Sequence, residues 1–167
     1  MATLNDKTTR NAYTASGGQT NFPYTFWIKE AAHLNVFVNG NLQTLGQNKD
    51  YTVSKVQDPN GGDVVFNSGL NSGDSVVIAY EPEVERTSEF QTGGEFKASD
   101  LNFEFTYLTS VIQFLNTRLG RTVRLSDTDV GSFNVQLPEL KANKILLVNG
   151  TGDGFALSNN DFTNIES

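Results

Sequence analysis

Cysteine is absent from this 167-residue chain, which excludes disulfides and thiolate metal sites. Histidine occurs once, at His33, so no site can be built on two histidines, and only one residue could serve a His-dependent triad. No run approaches the roughly eighteen apolar residues of a membrane span. The opening MATLNDKTTR lacks the apolar core of a secretory signal, so synthesis in the cytoplasm and no membrane insertion are expected. Charge is scarce, at 19%, and its balance is acidic, with a net charge of −7. An acidic chain is poorly suited to phosphate backbones, so nucleic acid is not an expected partner. Hydrophobic content is also low, at 37%. What remains is rich in Asn, Thr, Ser and Gly, a composition that suits short strands and turns better than a helical bundle.

The first twenty residues are polar, with a turn at Gly17-Gly18. Phe22 to Ile28 (FPYTFWI) reads as a strand that Pro23 confines to an edge or a strand start. Leu34–Val38, Asn39-Gly40 and Asn41–Leu45 form a hairpin pattern, because Asn-Gly supplies the positive φ of a type I′ turn. Strands follow at Tyr51–Val56, Val64–Phe66 and Ser75–Tyr80, separated by Asp58-Pro-Asn-Gly-Gly62 and by Gly69 and Gly73. Short strands at this spacing predict a β-sandwich.

Ala98 to Leu119 is different. Leu101, Phe105, Leu108, Ile112, Leu115 and Leu119 are spaced four, three, four, three, four, an unbroken heptad seam that stops at Gly120. Ser99 or Asp100 is the expected N-cap. A second apolar row, Phe103, Tyr107, Val111 and Phe114, is expected to face the helix's own β-domain. The pattern offers no second long helix to cover the seam, so self-association is the inference. Beyond Gly120, Lys144–Val148 and Phe155–Leu157 read as strands around the turn Asn149–Gly154, and residues 158–167 as a loose polar tail.

Catalytic chemistry has few candidates. His33 is expected to be a satisfied surface residue. Glu81, Glu83 and Glu85 could share a strand face, but Pro82 interrupts it, and solvated surface is the expectation. Asn149–Gly154 lacks the spaced carboxylates of a calcium loop. Trp27, with Phe22, Tyr24 and Phe26, could stack sugars, although aromatics in such a strand are more often core. No cofactor, no metal and no enzymatic activity are expected.

Several stretches occur in a telling order: Tyr13, Gly17-Gly18 and Phe22-Pro-Tyr-Thr-Phe26, then Val36-Phe-Val-Asn-Gly40, then Asp50-Tyr51. The most specific is Arg86-Thr-Ser-Glu89-Phe90, Gly93-Gly94 and Ala98-Ser-Asp100-Leu101-Asn102. Over residues 10 to 119 this resembles the N-terminal virion-anchoring region of tail fibre and tailspike proteins of short-tailed bacteriophages (podoviruses). The resemblance implies a parallel homotrimer, docked on the phage tail tube, nozzle or adaptor proteins, and located in the virion. It makes Arg86, Glu89, Phe90, Asp100 and Asn102 candidate tail-docking or connector residues.

The expected architecture is mainly β: a β-sandwich tail-docking domain (1–92), a connector end and trimerising coiled-coil helix (93–120), and a small β-appendage (121–167). The expected function is a structural tail fibre protein or fibre adaptor. Its short length is expected to favour an adaptor or a truncated fibre, and a separate receptor-binding protein is a candidate partner. The alternative is a carbohydrate-binding module that contacts the bacterial surface directly, which would need Trp27 and Tyr24 exposed.

Overall fold

A computed structural model describes residues 4–86, 89, 92, 94, 97–128, 130, 131 and 133–159. The described residues are mainly β, with a single α-helix, and the chain divides into two compact units, Met1–Gly120 and Arg121–Ser167.

The first unit holds two antiparallel sheets. One runs β1 (Arg10–Thr14), β7 (Ser75–Tyr80), β3 (Leu34–Val38) and β4 (Asn41–Leu42) in that order. The other runs β2 (Asn21–Tyr24), β6 (Gly62–Phe66) and β5 (Tyr51–Val53). Alternation decides what is buried. In β7, Val76, Ile78 and Tyr80 point inward while Val77 and Ala79 stay half-exposed, and β6 buries Val64 and Phe66 in the same way. The inward faces of both sheets contribute to one core that includes Phe22, Tyr24, Tyr51, Val36 and Leu34.

The Asn39-Gly40 turn has φ of 50° and 81°, with Val38 opposite Asn41, as a type I′ hairpin requires. Pro23 lies exposed on the edge strand β2, where its missing N–H costs no ladder bond. Other expectations need correction. The strand from Phe22 ends at Tyr24, and Phe26–Lys29 leave the sheet while remaining buried. The strand from Tyr51 ends at Val53, because Lys55 (φ 53°) and Gln57 (φ 65°) turn the chain. β4 has only two residues, and Leu45 instead bridges Tyr51 in parallel. Strand β1 lies in a stretch read only as polar. Its full five-residue pairing with β7 anchors it, and the Tyr13 hydroxyl donates to the Pro23 carbonyl at 2.6 Å, which stitches the two edge strands together.

Helix α1 spans Ala98–Leu119. Its N-cap is Lys97, with no side-chain cap bond, rather than Ser99 or Asp100. Asp100 lies in the first turn, where its charge complements the helix dipole.

In the second unit β8 (Leu146–Val148) pairs with β9 (Phe155–Leu157). The loop between them is tied internally: Asn149 Nδ2 donates to Asp153 Oδ1 at 2.7 Å, and the Asp153 amide returns a bond to Asn149 Oδ1 at 3.1 Å. These side-chain bonds, from Thr151 first and Asn149 second, hold the Asp153 carboxyl below its ordinary pKa. Asn134 bridges Gly154 in parallel, and the ring of Phe133 meets Phe155 edge-on at 5.2 Å.

Candidate assembly surfaces

The helix has two apolar-bearing stripes that behave in opposite ways. Phe103, Tyr107, Ser110, Phe114 and Thr117 are spaced four, three, four, three and face the β-domain. Trp27 packs against Phe103 at 6.0 Å and Tyr107 at 6.3 Å, and Tyr80 meets Phe114 edge-on at 6.2 Å. Polar bonds fix the same face. The hydroxyls of Tyr80 and Ser110 share a bond of 3.0 Å within the buried interface. Gln113 Nε2 donates to the Asn5 carbonyl at 2.7 Å, and the Thr9 amide donates to Thr117 Oγ1 at 3.0 Å. The Tyr107 hydroxyl donates to the Glu83 carbonyl.

This face revises several sequence expectations. Val111 is only half-buried, while Ser110 and Gln113 are buried in its place. The stripe follows a heptad spacing offset from the first, and small or polar residues fit where the helix comes close to the sheet ends. His33 is buried rather than on the surface, its ring between those of Tyr80 and Tyr107 at 6.2 and 6.4 Å, and Nδ1 has no hydrogen-bond partner among the described residues. Trp27 and Tyr24 are 3% and 1% exposed, so neither offers a sugar-stacking platform.

The acidic run is divided among structural partners. Glu85 pairs with the buried Lys29 at 2.9 Å, and this bond is the main reason the Lys29 pKa is raised. Lys29 Nζ also lies 5.0 Å over the Tyr107 ring. Glu81 pairs with Arg118, whose guanidinium stacks on Phe114. Among the described residues no three His, Asp or Glu side chains are grouped to hold a metal ion.

The other stripe is bare. Phe105, Leu108, Ile112, Leu115 and Leu119 are 50% to 64% exposed, and Leu101, at the start of the seam, is half-buried. They form an apolar line roughly 27 Å long at 1.5 Å per residue. A soluble chain does not ordinarily leave so continuous a stripe in water. Arg86 and Glu89 lie exposed on the connector, Asp100 and Asn102 lie exposed at the helix start, and Phe90 is outside the described residues. The structure therefore brings none of the four described residues onto the seam. Asn102 uses its carbonyl to accept from Thr106 Oγ1 at 2.8 Å, a bond inside the helix.

No known family profile matches the chain. Over 125 residues it is 34% identical to the tail spike protein of Salmonella phage epsilon15, a match that takes in 73% of this chain and 12% of that protein. The chain thus spans about an eighth of the length of the relative it resembles.

Proposed function

We propose that this chain is a phage tail protein that works by geometry and catalyses no reaction: a tail-anchoring adaptor or fibre base, assembled as a parallel homotrimer in the virion. The observation that carries the reading is the two-faced helix. One stripe is tied to the β-domain by rings and hydrogen bonds, and the opposite stripe is apolar and uncovered. Three copies burying their seams against one another form a left-handed coiled coil. Covering the exposed half of each seam residue is worth on the order of 1 kcal/mol per side chain. The two sheets then act as a β-sandwich that each copy presents to the tail tube, nozzle or adaptor, with Arg86, Glu89, Phe90, Asp100 and Asn102 as the connector between anchor and axis. The similarity to the epsilon15 tail spike protein supports the assignment to a phage tail. The 121–167 unit holds a separate receptor-binding protein and so supports host attachment.

Sedimentation equilibrium of the full chain at micromolar concentration tests this directly. A trimer mass is expected. A monomer with the helix still formed by circular dichroism would overturn the assembly reading.

A further inference from the structure

The outer face of the four-stranded sheet departs from the usual alternation. A sheet face turned to water carries polar side chains between the inward apolar ones. Here the register puts Ala12 opposite Val77, Val77 opposite Phe37, and Phe37 opposite Leu42. Residues directly opposite one another share a face. Val77 is flanked along β7 by the buried Val76 and Ile78, so this row points away from the core. Ala12 and Leu42 are exposed, Leu42 by 61%, while Phe37 and Val77 are half-buried by each other. The result is one apolar row across all four strands, roughly 14 Å wide at the usual strand spacing.

Charge on this face is equally selective. The chain carries 19 Asp and Glu against 12 Lys and Arg. Yet no outward position of these four strands is acidic. The adjacent row is Arg10, Ala79 and Asn35; among the described strand positions of this face Arg10 is the one charge, and Glu81, just past β7, is already paired with Arg118. The helix does not cover it. Its ring, ion-pair and hydrogen-bond partners include Trp27, Lys29, His33, Tyr80, Asn5, Thr9, Glu81 and Glu83, all inward-facing or outside the four strands.

We infer that this face is a protein-docking surface, and that its partner is a different protein presenting an apolar centre with a carboxylate placed to meet Arg10. A second copy of the chain fits poorly. Two such faces pressed together would bury Arg10 with no acidic strand residue opposite it, the flanking Glu81 being held by Arg118, which is costly. A separate, acidic partner resolves both features: the apolar row supplies the desolvated centre, and the lone cation fixes register and orientation. The inference rests on the tail-attachment reading and names the surface that performs it.

Phage particles assembled without this chain are mixed with purified full-length chain, and bound chain is measured after the particles are pelleted. Wild-type chain should co-sediment. Leu42→Glu and Ala12→Glu, both at exposed positions, should each lower binding at least tenfold while melting temperature and oligomer mass stay unchanged. Arg10→Glu should do the same, and the wild-type binding should weaken with salt. If wild-type chain binds and both apolar-row variants bind equally well, this face is not the docking surface, although the tail reading stands. If Leu42→Glu and Ala12→Glu instead reduce the oligomer mass, the face joins copies and the heterologous partner is wrong. If wild-type chain fails to pellet, the tail-attachment reading itself fails and takes this inference with it.

Discussion

Gly61 and Gly62 lie where the chain returns to the sheet against Tyr24. Gly61 has φ of +84°, and a Cβ there would stand 1.9 Å from the Tyr24 carbonyl oxygen. A Cβ on Gly62 would stand 2.1 Å from the Ser54 carbonyl oxygen, the same oxygen that accepts the Tyr24 hydroxyl at 2.6 Å. Both clashes are with backbone, which cannot turn aside. Gly61→Ala is therefore expected to destabilise the first unit by about 2 kcal/mol or more, read as a drop of several degrees in melting temperature. Gly40, with φ of +81° and open space around it, should tolerate Ala with only the left-handed penalty, on the order of 1 kcal/mol. The buried tyrosines give a second test. Burial pushes Tyr51 and Tyr80 up to about 12 from an ordinary value near 10, because the tyrosinate would lose its hydration. Their folded values are raised, so their contribution to stability is intact below pH 10 and is lost as pH rises through about 12. Absorbance at 295 nm should show these rings ionising only as the far-ultraviolet dichroism of the fold collapses. Early ionisation with the fold intact would mean that the rings are accessible.

At the scale of the element, the helix matters most, because it joins a packed face to a bare one. Trp27 is the chain's single tryptophan and sits beneath Phe103 and Tyr107, so its fluorescence reports helix docking. Tyr107→Ala removes a buried ring that contacts Trp27, His33 and Lys29 together. The expected cost is about 3 kcal/mol, with a red-shifted Trp27 emission well below the global melt. Unchanged emission would mean that the remaining stripe holds the helix unaided. The helix bounds, the Asn-Gly hairpin and the last long strand were legible because each rests on local periodicity or turn chemistry. Strand β1 was not, since RNAYT has no strong alternation and gains its place only by pairing with β7, more than sixty residues away in sequence. The burial of His33 and the docking roles of Ser110 and Gln113 were hidden for a related reason. Small and polar side chains become interface residues only when a partner surface closes on them, and sequence spacing does not say where that surface lies. The acidic run shows the same limit: Glu81 and Glu85 alternate along the chain but pair with Arg118 and Lys29, which are far apart in sequence.

At the scale of the whole molecule the two units differ in how far they are self-sufficient. Among the described residues the first has a core of thirteen buried apolar side chains. In the second, Ile145, Leu146, Leu147 and Val148 are each 40% or more exposed, and β8 and β9 have three residues apiece. A two-stranded hairpin of that length is marginal alone in water, and in the proposed assembly further copies or a bound protein complete it. The proposed trimer assigns these tasks to different parts. Ile112→Asp or Leu108→Asp would set three carboxylates against one another in an apolar axis, at several kcal/mol per assembly. Sedimentation should then return monomers whose β-domain melts as before. Trimers with unchanged melting would mean that the seam faces something other than its own copies. Cutting the chain after Gly120, at the boundary between the units, removes neither the core nor the seam. The shortened chain should still form trimers and still join the particle. What it should lose is the receptor-binding partner, so host adsorption falls while particle yield does not. Counting the shortened chain on purified particles decides the matter: if it is missing from them, residues beyond Gly120 are themselves part of the anchor, and their assignment to receptor binding is wrong.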